Sequence, residues 1–419
     1  MTLTRKAVLL LGVGTVLVIG GLYYDDGGAC LIGLVLLVFA IIGSAPGPVR
    51  LHVERRLSDE VAHVGNQVSV DLSVEARSDS ERIIEVQDEL SDRLWLDGGV
   101  VSTMVYLGEG DRLEVGYRLY CPLRGYMRVG PLRVRSRDFF GLGWTDRTID
   151  VRDLLTVHPA LDIATWRPRH MPSAIPEVGQ RARGRLGMGT EFFHIREYQQ
   201  GDPYRFINWK ATARLRKYMV NEFEQETTSD IMVFVDMRSA ALSGTPTLNG
   251  AERAVELAAC LVEQFVHQRR DVGLVIYGRR PFVLPPGTGQ RQLDDVLHAL
   301  TGASSGGETT FQEAYELASA HMSFRTRLLV LTSLAPDATL TAKLAELGLR
   351  GRHVVVIRVE PFDFQAGIRT YRMPVEQDST RLQVEMDVSA LRERGVLTLD
   401  WPVTLRPSEM LEVMRVAAP

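Results

Sequence analysis

The spacing of apolar residues changes along the chain, and each change marks a different kind of element. Residues 7–24, AVLLLGVGTVLVIGGLYY, carry no charge, and a second uncharged run covers 29–45. A membrane-spanning helix needs about 20 predominantly apolar residues, with about 17 still sufficient, so both runs qualify at the short end. Only a short segment with Asp25 and Asp26 separates them, which predicts a tight transmembrane helical hairpin over residues 1–50, in contact with lipid through residues 7–45. From 51 to 159 the period becomes two: VGNQVSVDLSVEA, LEVGYRLY and GPLRVRS alternate apolar and polar positions between Gly, Asp and Pro breaks. Short strands at that spacing predict an antiparallel β-sandwich of immunoglobulin-like type. From Ile231 onward continuous apolar runs take over, at 231–235, 272–277, 327–332 and 353–359, and runs apolar on both faces read as buried parallel strands. Amphipathic segments 251–268, 291–300, 310–323 and 337–347 alternate with them. This is the sequence form of an open doubly wound α/β sheet, whose ligands bind at the carboxyl ends of the strands. LTLDW near the end is a candidate last strand, and residues 407–416 a candidate closing helix.

Charge adds an orientation. Arg5 and Lys6 precede the first apolar run, Arg50, Arg55 and Arg56 follow the second, and the hairpin tip is acidic. The positive-inside rule then puts both termini and the soluble domains on the cytoplasmic side of the cell membrane. A cleaved signal peptide is the rival reading, but the first run is long and a second follows at once. The formal net charge of -4 over 419 residues gives no whole-protein reason to expect nucleic-acid binding. Cys30, Cys121 and Cys260 are far apart and fit neither a zinc pattern nor a disulfide framework, in keeping with a reducing compartment. Arg124, Arg128, Arg133, Arg135 and Arg137 form a basic stripe that could face anionic lipid, although alternating strand charges are more often a solvated face. Residues 160–185 have the Pro and Arg content of a linker.

The densest run of unusual residues is 186–230, between the two soluble domains. It holds Glu191, Arg196 and Tyr198, a Gly201-Asp202-Pro203 turn, then Arg205, Trp209, Lys210 and Arg214. Gly-Asp-Pro predicts a helix from about Pro203, on which Arg205 and Trp209, and Lys210 and Arg214, stack four apart. Two readings follow. Either Trp209 packs in a core and the cations pair with Glu191, Glu197 or Glu222, or the segment is an electropositive surface for a carboxylate, a phosphate or a partner protein.

The spacing Gly189-x-Glu191-Phe192, Arg196-x-Tyr198-x-x-Gly201-Asp202-x-x-Arg205-x-Ile207-x-Trp209-x-x-x-Ala213-Arg214 resembles the signature of the family called domain of unknown function 58. Members join this signature to a von Willebrand factor A-like domain. The resemblance therefore implies an A-like α/β domain over 231–419 and a MoxR-type AAA+ ATPase as partner. Asn208 departs from the Asp expected before the Trp, which removes an acceptor for Arg205 or Arg214.

The resemblance also implies a Mg²⁺ site built on Asp-x-Ser-x-Ser, a loop Thr and a further loop Asp. Here the first motif reads Asp236-Met237-Arg238-Ser239-Ala240, the Thr candidates are Thr309 and Thr310, and Ser333 stands where the final Asp is expected. One firm carboxylate beside a permanent cation argues against bound Mg²⁺ and for Arg238 pairing with Asp236 in its place. No HExxH, nucleophile elbow or Gly-Lys-Ser/Thr loop is present, so no catalytic residue and no cofactor is assigned. The leading expectation is a membrane-anchored cytoplasmic adaptor or scaffold that binds a protein through a degenerate A-like domain. A divalent-metal-dependent receptor and an envelope-associated enzyme are the rivals.

Overall fold

A computed structural model describes residues 2–43, 50–77, 82–137, 142–161, 186–200, 202, 204–224, 230–239, 249–334, 338–359, 375–402, 406, 407 and 409. The expected linker, apart from its first two residues, and most of the expected closing helix lie outside them. The chain divides into two compact units, Met1–Ala160 and Leu161–Pro419.

The first unit opens with a short strand, β1 (Thr2–Leu3), followed by helices α1 (Arg5–Tyr24) and α2 (Gly27–Gly43). Among the described residues α1 is the helix long and apolar enough to cross a membrane by length and composition, whereas α2 has 17 residues. The helices pack antiparallel through small residues. A Cβ on Gly14 would meet Leu37 Cγ at 3.0 Å and the Gly33 carbonyl at 3.1 Å, and one on Gly21 would meet the Cys30 nitrogen at 2.7 Å. Hydrogen at those positions lets the two backbones approach closely. The turn is closed by Asp26, whose Oδ1 accepts from the Gly28 nitrogen at 2.9 Å.

Two facing sheets complete this unit. One joins β2 (Leu51–Leu57), β4 (Gln67–Ala76), β8 (Arg112–Tyr120) and β6 (Trp95–Gly99) in that order. The other holds β1, β10 (Gly143–Ile149), β9 (Gly125–Arg137), β11 (Asp153–His158) and β3 (Val61–His63), with β5 (Arg82–Leu90) also on β9 and β7 (Ser102–Leu107) on β5. The period-two pattern explains the facing: in β4, Val68, Val70, Leu72 and Val74 are buried between exposed or half-buried neighbours. The core falls into two apolar clusters, one containing Leu72, Ile84, Val86 and Val134, the other Val68, Leu119, Met127 and Val157. Between them sits an ionic group. The Arg55 and Asp88 side chains are 0% exposed and fork together, Nη2 to Oδ1 at 2.6 Å and Nε to Oδ2 at 3.0 Å. The Tyr117 hydroxyl donates to Asp88 Oδ2 at 2.7 Å, and Arg55 Nη1 donates to Asp153 and to the Val129 and Val151 carbonyls. Burial and the neighbouring carboxylate push the Tyr117 phenol far above its ordinary range, so it stays a donor.

In the second unit a two-stranded sheet, β12 (Leu186–Glu197) with β13 (Met219–Glu224), precedes a six-stranded one. The latter holds β14 (Ile231–Asp236), β15 (Val272–Tyr277), β16 (Phe282–Gly287), β17 (Arg327–Thr332), β18 (Val354–Val359) and β19 (Leu397–Trp401). Its order is β16-β15-β14-β17-β18-β19, parallel except for β16. Alternate residues of β14 face opposite layers. Ile231, Val233 and Val235 pack against α4 (Gly250–His267) and α5 (Gln290–Gly302). Met232 and Phe234 pack against α6 (Phe311–Ser319), α7 (Ala338–Leu349) and α8 (Val375–Glu393). A strand covered on both faces must be apolar throughout, which is why its sequence shows no alternation. Order reverses between β14 and β17, and outside the carboxyl ends of such strands lies the crevice where α/β sheets bind ligands.

Candidate functional site

Asp236 is the last residue of β14, at that reversal, and is 2% exposed. A carboxylate there must be fully hydrogen-bonded. Arg238 supplies most of this: its Nε donates to Oδ1 at 3.0 Å, its Nη2 to Oδ2 at 2.8 Å, and its backbone N–H to Oδ1 at 3.1 Å. Thr332, the last residue of β17, donates its hydroxyl to Oδ2 at 2.8 Å and accepts from the Leu334 nitrogen at 3.1 Å. The guanidinium carbon also lies 5.6 Å from the Tyr277 ring centroid. The 303–310 loop closes against this strand end, with the Gly306 nitrogen donating to the Met237 carbonyl at 2.7 Å and the Ser239 nitrogen to the Gly307 carbonyl at 3.2 Å. Gly307 is required by its setting: φ is +77°, and a Cβ would fall 2.5 Å from the Gly278 carbonyl oxygen.

The residues present do not fit a resident divalent cation. Both Asp236 oxygens already accept from Arg238 and Thr332. Thr310 is committed as the N-cap of α6, its hydroxyl accepting from the Glu313 nitrogen at 3.3 Å while Glu313 returns a bond to the Thr310 nitrogen at 2.8 Å. Thr309 lies in the same loop, its nitrogen bonded to the Gly278 carbonyl at 2.9 Å. Ser333 is 3% exposed and, among the described residues, its hydroxyl has no hydrogen-bond partner. A hard dication needs several oxygen ligands without a neighbouring positive charge, and here a guanidinium occupies that position. Thr332, not singled out from sequence, is the hydroxyl that reaches Asp236. No local signal in the sequence marks it, because only the pairing of Val235 with Leu331 in neighbouring parallel strands brings the following positions together.

The 186–230 segment forms a separate element. Arg196, at the end of β12, forks across Asp202 with both N–O distances at 2.8 Å, and the Gln199 nitrogen donates to the same carboxylate at 2.8 Å. The Arg196 bond, helped by that N–H, holds the Asp202 carboxyl down to about 2. The expected helix from Pro203 is shorter and later. Residues Tyr204–Phe206 make a single 3₁₀ turn, Ile207 bridges to Val220, and α3 runs only from Trp209 to Leu215. The chain stays extended at 207–208 because the Asn208 nitrogen donates to the Met219 carbonyl at 2.8 Å. Arg205 and Trp209 are therefore not on one helix. The Asn208 side chain holds this junction together. Its Oδ1 caps α3 by accepting from the Ala211 nitrogen at 3.0 Å, and its Nδ2 donates to Asn221 at 2.7 Å.

Residues 194–390 match the family Protein of unknown function DUF58. Over 260 residues the chain is 20% identical to "Uncharacterized protein YeaD" of Bacillus subtilis (strain 168), covering 60% of this chain and 63% of the relative. Among solved structures, proximal thread matrix protein 1 from the mussel byssus aligns at 14% identity and TM-score 0.30, over 45% of this chain and 46% of that one. Native alpha-2-macroglobulin from Escherichia coli aligns at 18% identity and TM-score 0.24, over 28% and 17%.

Within the DUF58 match, the two readings of Trp209 separate. The residue is 66% exposed, so the core reading is corrected: α3 has no buried residue, and the buried apolar residues nearby are Ile207 and Val220, joined by an isolated bridge. Tyr198 stacks on Tyr204 at 6.0 Å between centroids and meets Tyr218 edge-on at 6.3 Å, with Tyr204 and Tyr218 both well exposed. Arg205, Lys210 and Arg214 are exposed and make no ion pair among the described residues, whereas Lys217 pairs with Glu197 at 2.6 Å. The Glu191 and Glu222 side chains lie outside the described ones, so their expected pairing does too.

Proposed function

We propose that this chain is a membrane-anchored adaptor that binds a protein partner. In this reading α1 and α2 form a two-pass hairpin with both termini cytoplasmic, the two-sheet domain is an immunoglobulin-like spacer, and the six-stranded domain is von Willebrand A-like. The strand order with one antiparallel edge and Asp236 at its reversal support the last assignment. The observation that carries the binding role is that Tyr204, Arg205, Trp209, Arg214 and Tyr218, aromatic and cationic side chains within one short stretch of chain, are all exposed. Exposed Trp, Tyr and Arg together are the residue types that dominate interface energetics, and exposed cations favour an acidic partner. The family resemblance suggests a MoxR-type AAA+ ATPase for that role. The Arg238–Asp236 fork supports this reading over a metal-dependent receptor, because the charge that a dication would bring is already supplied.

The test is binding of the full chain in nanodiscs to a purified MoxR-type ATPase of the same cell, with ATP or ADP. Wild type should bind, and Trp209→Ala combined with Arg205→Gln and Arg214→Gln should abolish binding while leaving the fold intact. Equal binding by wild type and variant, or none by wild type, would overturn the assignment of this stretch.

A further inference from the structure

Strand β1 makes the N-terminus part of the sandwich. Thr2 pairs with Trp144 and Leu3 with Gly143, then Thr4 ties the junction twice, its nitrogen and its hydroxyl both donating to the Leu142 carbonyl at 3.0 Å. The same hydroxyl accepts from the Ala7 nitrogen as the N-cap of α1. The helix therefore leaves the sheet with Thr4 as the only intervening residue. On the outer face, register puts one row of side chains level with this exit: Trp144 beside Arg137, Arg137 beside Ile83, and Ile83 beside Tyr106. Their inward neighbours Ser136 and Ile84 are buried, whereas Arg137 and Tyr106 are exposed and Trp144 is half-buried. The same core cluster that holds Ile84 and Leu107 also packs Leu51, so the chain re-enters the sandwich from α2 at this end as well.

Three features of this end call for an anionic, partly apolar layer. Arg137 has no ion pair among the described residues, although the neighbouring Arg135 is neutralised by Asp146 at 2.9 Å and stacks on Trp144 at 4.0 Å. Arg5 and Lys6 are exposed in the first turn of α1, which has no acidic residue, so they oppose the helix dipole and gain from negative charge outside the protein. Trp and Tyr beside a cation, next to an apolar helix, are the side chains that lodge at headgroup depth. Among the described acidic residues near this row, Glu109 and Asp111 follow β7 at the edge opposite β1, while Glu85 and Asp146, one row further along the same face, are both paired with Arg135, which centres the contact on Trp144.

We infer that the row Trp144–Arg137–Ile83–Tyr106 rests in the headgroup layer of a membrane containing anionic lipid, holding the sandwich face against the bilayer. This rests on the proposed membrane anchoring. The contact is made by lipid that surrounds α1, and each Lys or Arg near such a surface contributes to holding it there.

The experiment reconstitutes the full chain in vesicles of brominated phosphatidylcholine, with or without phosphatidylglycerol, and reads tryptophan quenching. Trp144→Phe should remove one quenched component that is stronger when phosphatidylglycerol is present. Arg137→Glu, at an exposed position, should weaken that component in phosphatidylglycerol vesicles while Trp144 is retained. If the protein floats with vesicles but Trp144→Phe leaves quenching unchanged, the contact is wrong and the anchor stands. If the Trp144 component is equal in both lipids, the anionic assignment is wrong. Failure to float with vesicles overturns the anchor and the contact together.

Discussion

Arg238 forks across the carboxylate of Asp236 from two residues along the chain, at 3.0 Å and 2.8 Å, at the carboxyl ends of two neighbouring parallel strands. The guanidinium keeps its charge, and its planar fork matches both carboxylate oxygens. Removing one partner leaves a buried charge uncompensated. Arg238→Ala should therefore cost about 3–5 kcal/mol in denaturant unfolding of the full chain. Mg²⁺ or Mn²⁺ should not raise the melting temperature of the wild type, nor rescue Arg238→Ser, because the Thr310 hydroxyl is held by α6. A metal-dependent rise abolished by Asp236→Ala would falsify this account.

Trp209 contrasts with a core tryptophan. At 66% exposure, its replacement by Ala should change unfolding free energy by no more than about 0.5 kcal/mol. A loss of several kcal/mol on the same denaturation curves would show that the side chain packs against something in the intact chain.

The Asp202 carboxyl, held at about 2 first by Arg196 and then by the Gln199 N–H, gives a pH signature. Its folded value lies below its unfolded one, so its stabilising contribution is present above the ordinary carboxylate range and is lost as pH falls through about 2. A carbon-detected NMR titration should find that midpoint, and Arg196→Gln should return it towards the ordinary range. An unchanged midpoint in the variant would mean that the fork is not its cause.

In the sandwich, Arg55→Met alone should destabilise by about 3–5 kcal/mol, since it strands Asp88. The triple replacement Arg55→Met, Asp88→Leu, Tyr117→Phe should recover most of that loss. Chemical denaturation of both variants measures the coupling, and simple additivity would contradict the network described.

Much of the α/β domain was legible because strands covered on both faces must be apolar without interruption. Residues 231–235, 272–277 and 327–332 could hardly be anything else. Two elements of the sheet region were not. β16 contains Pro285 and Pro286, which read as a break but are tolerated on an edge strand whose outer side needs no ladder bond. β12 is punctuated by Gly187 and Gly189, and its pairing with β13 is irregular. At the candidate site, the Asp236–Arg238 proximity was readable from a two-residue spacing, but Thr332 is 96 residues away and only sheet order brings it there. The start of α3 was misplaced because Gly-Asp-Pro signals a turn without specifying how many extended residues follow. An isolated bridge from Ile207 to Val220 decides that, and it is a non-local contact.

The ionic group between the two halves of the sandwich core has a mechanical corollary. Arg55 is satisfied only where β2 lies level with Asp88 on β5 and with the Val129 and Val151 carbonyls. Sliding β2 by one residue would turn the guanidinium outward and leave a carboxylate stranded inside. An evenly greasy core would let the two sheets creep past one another at little cost. This one has a notch and a tooth, so a pull on the helix that precedes β2 in the chain would be met by a detent rather than by gradual slippage.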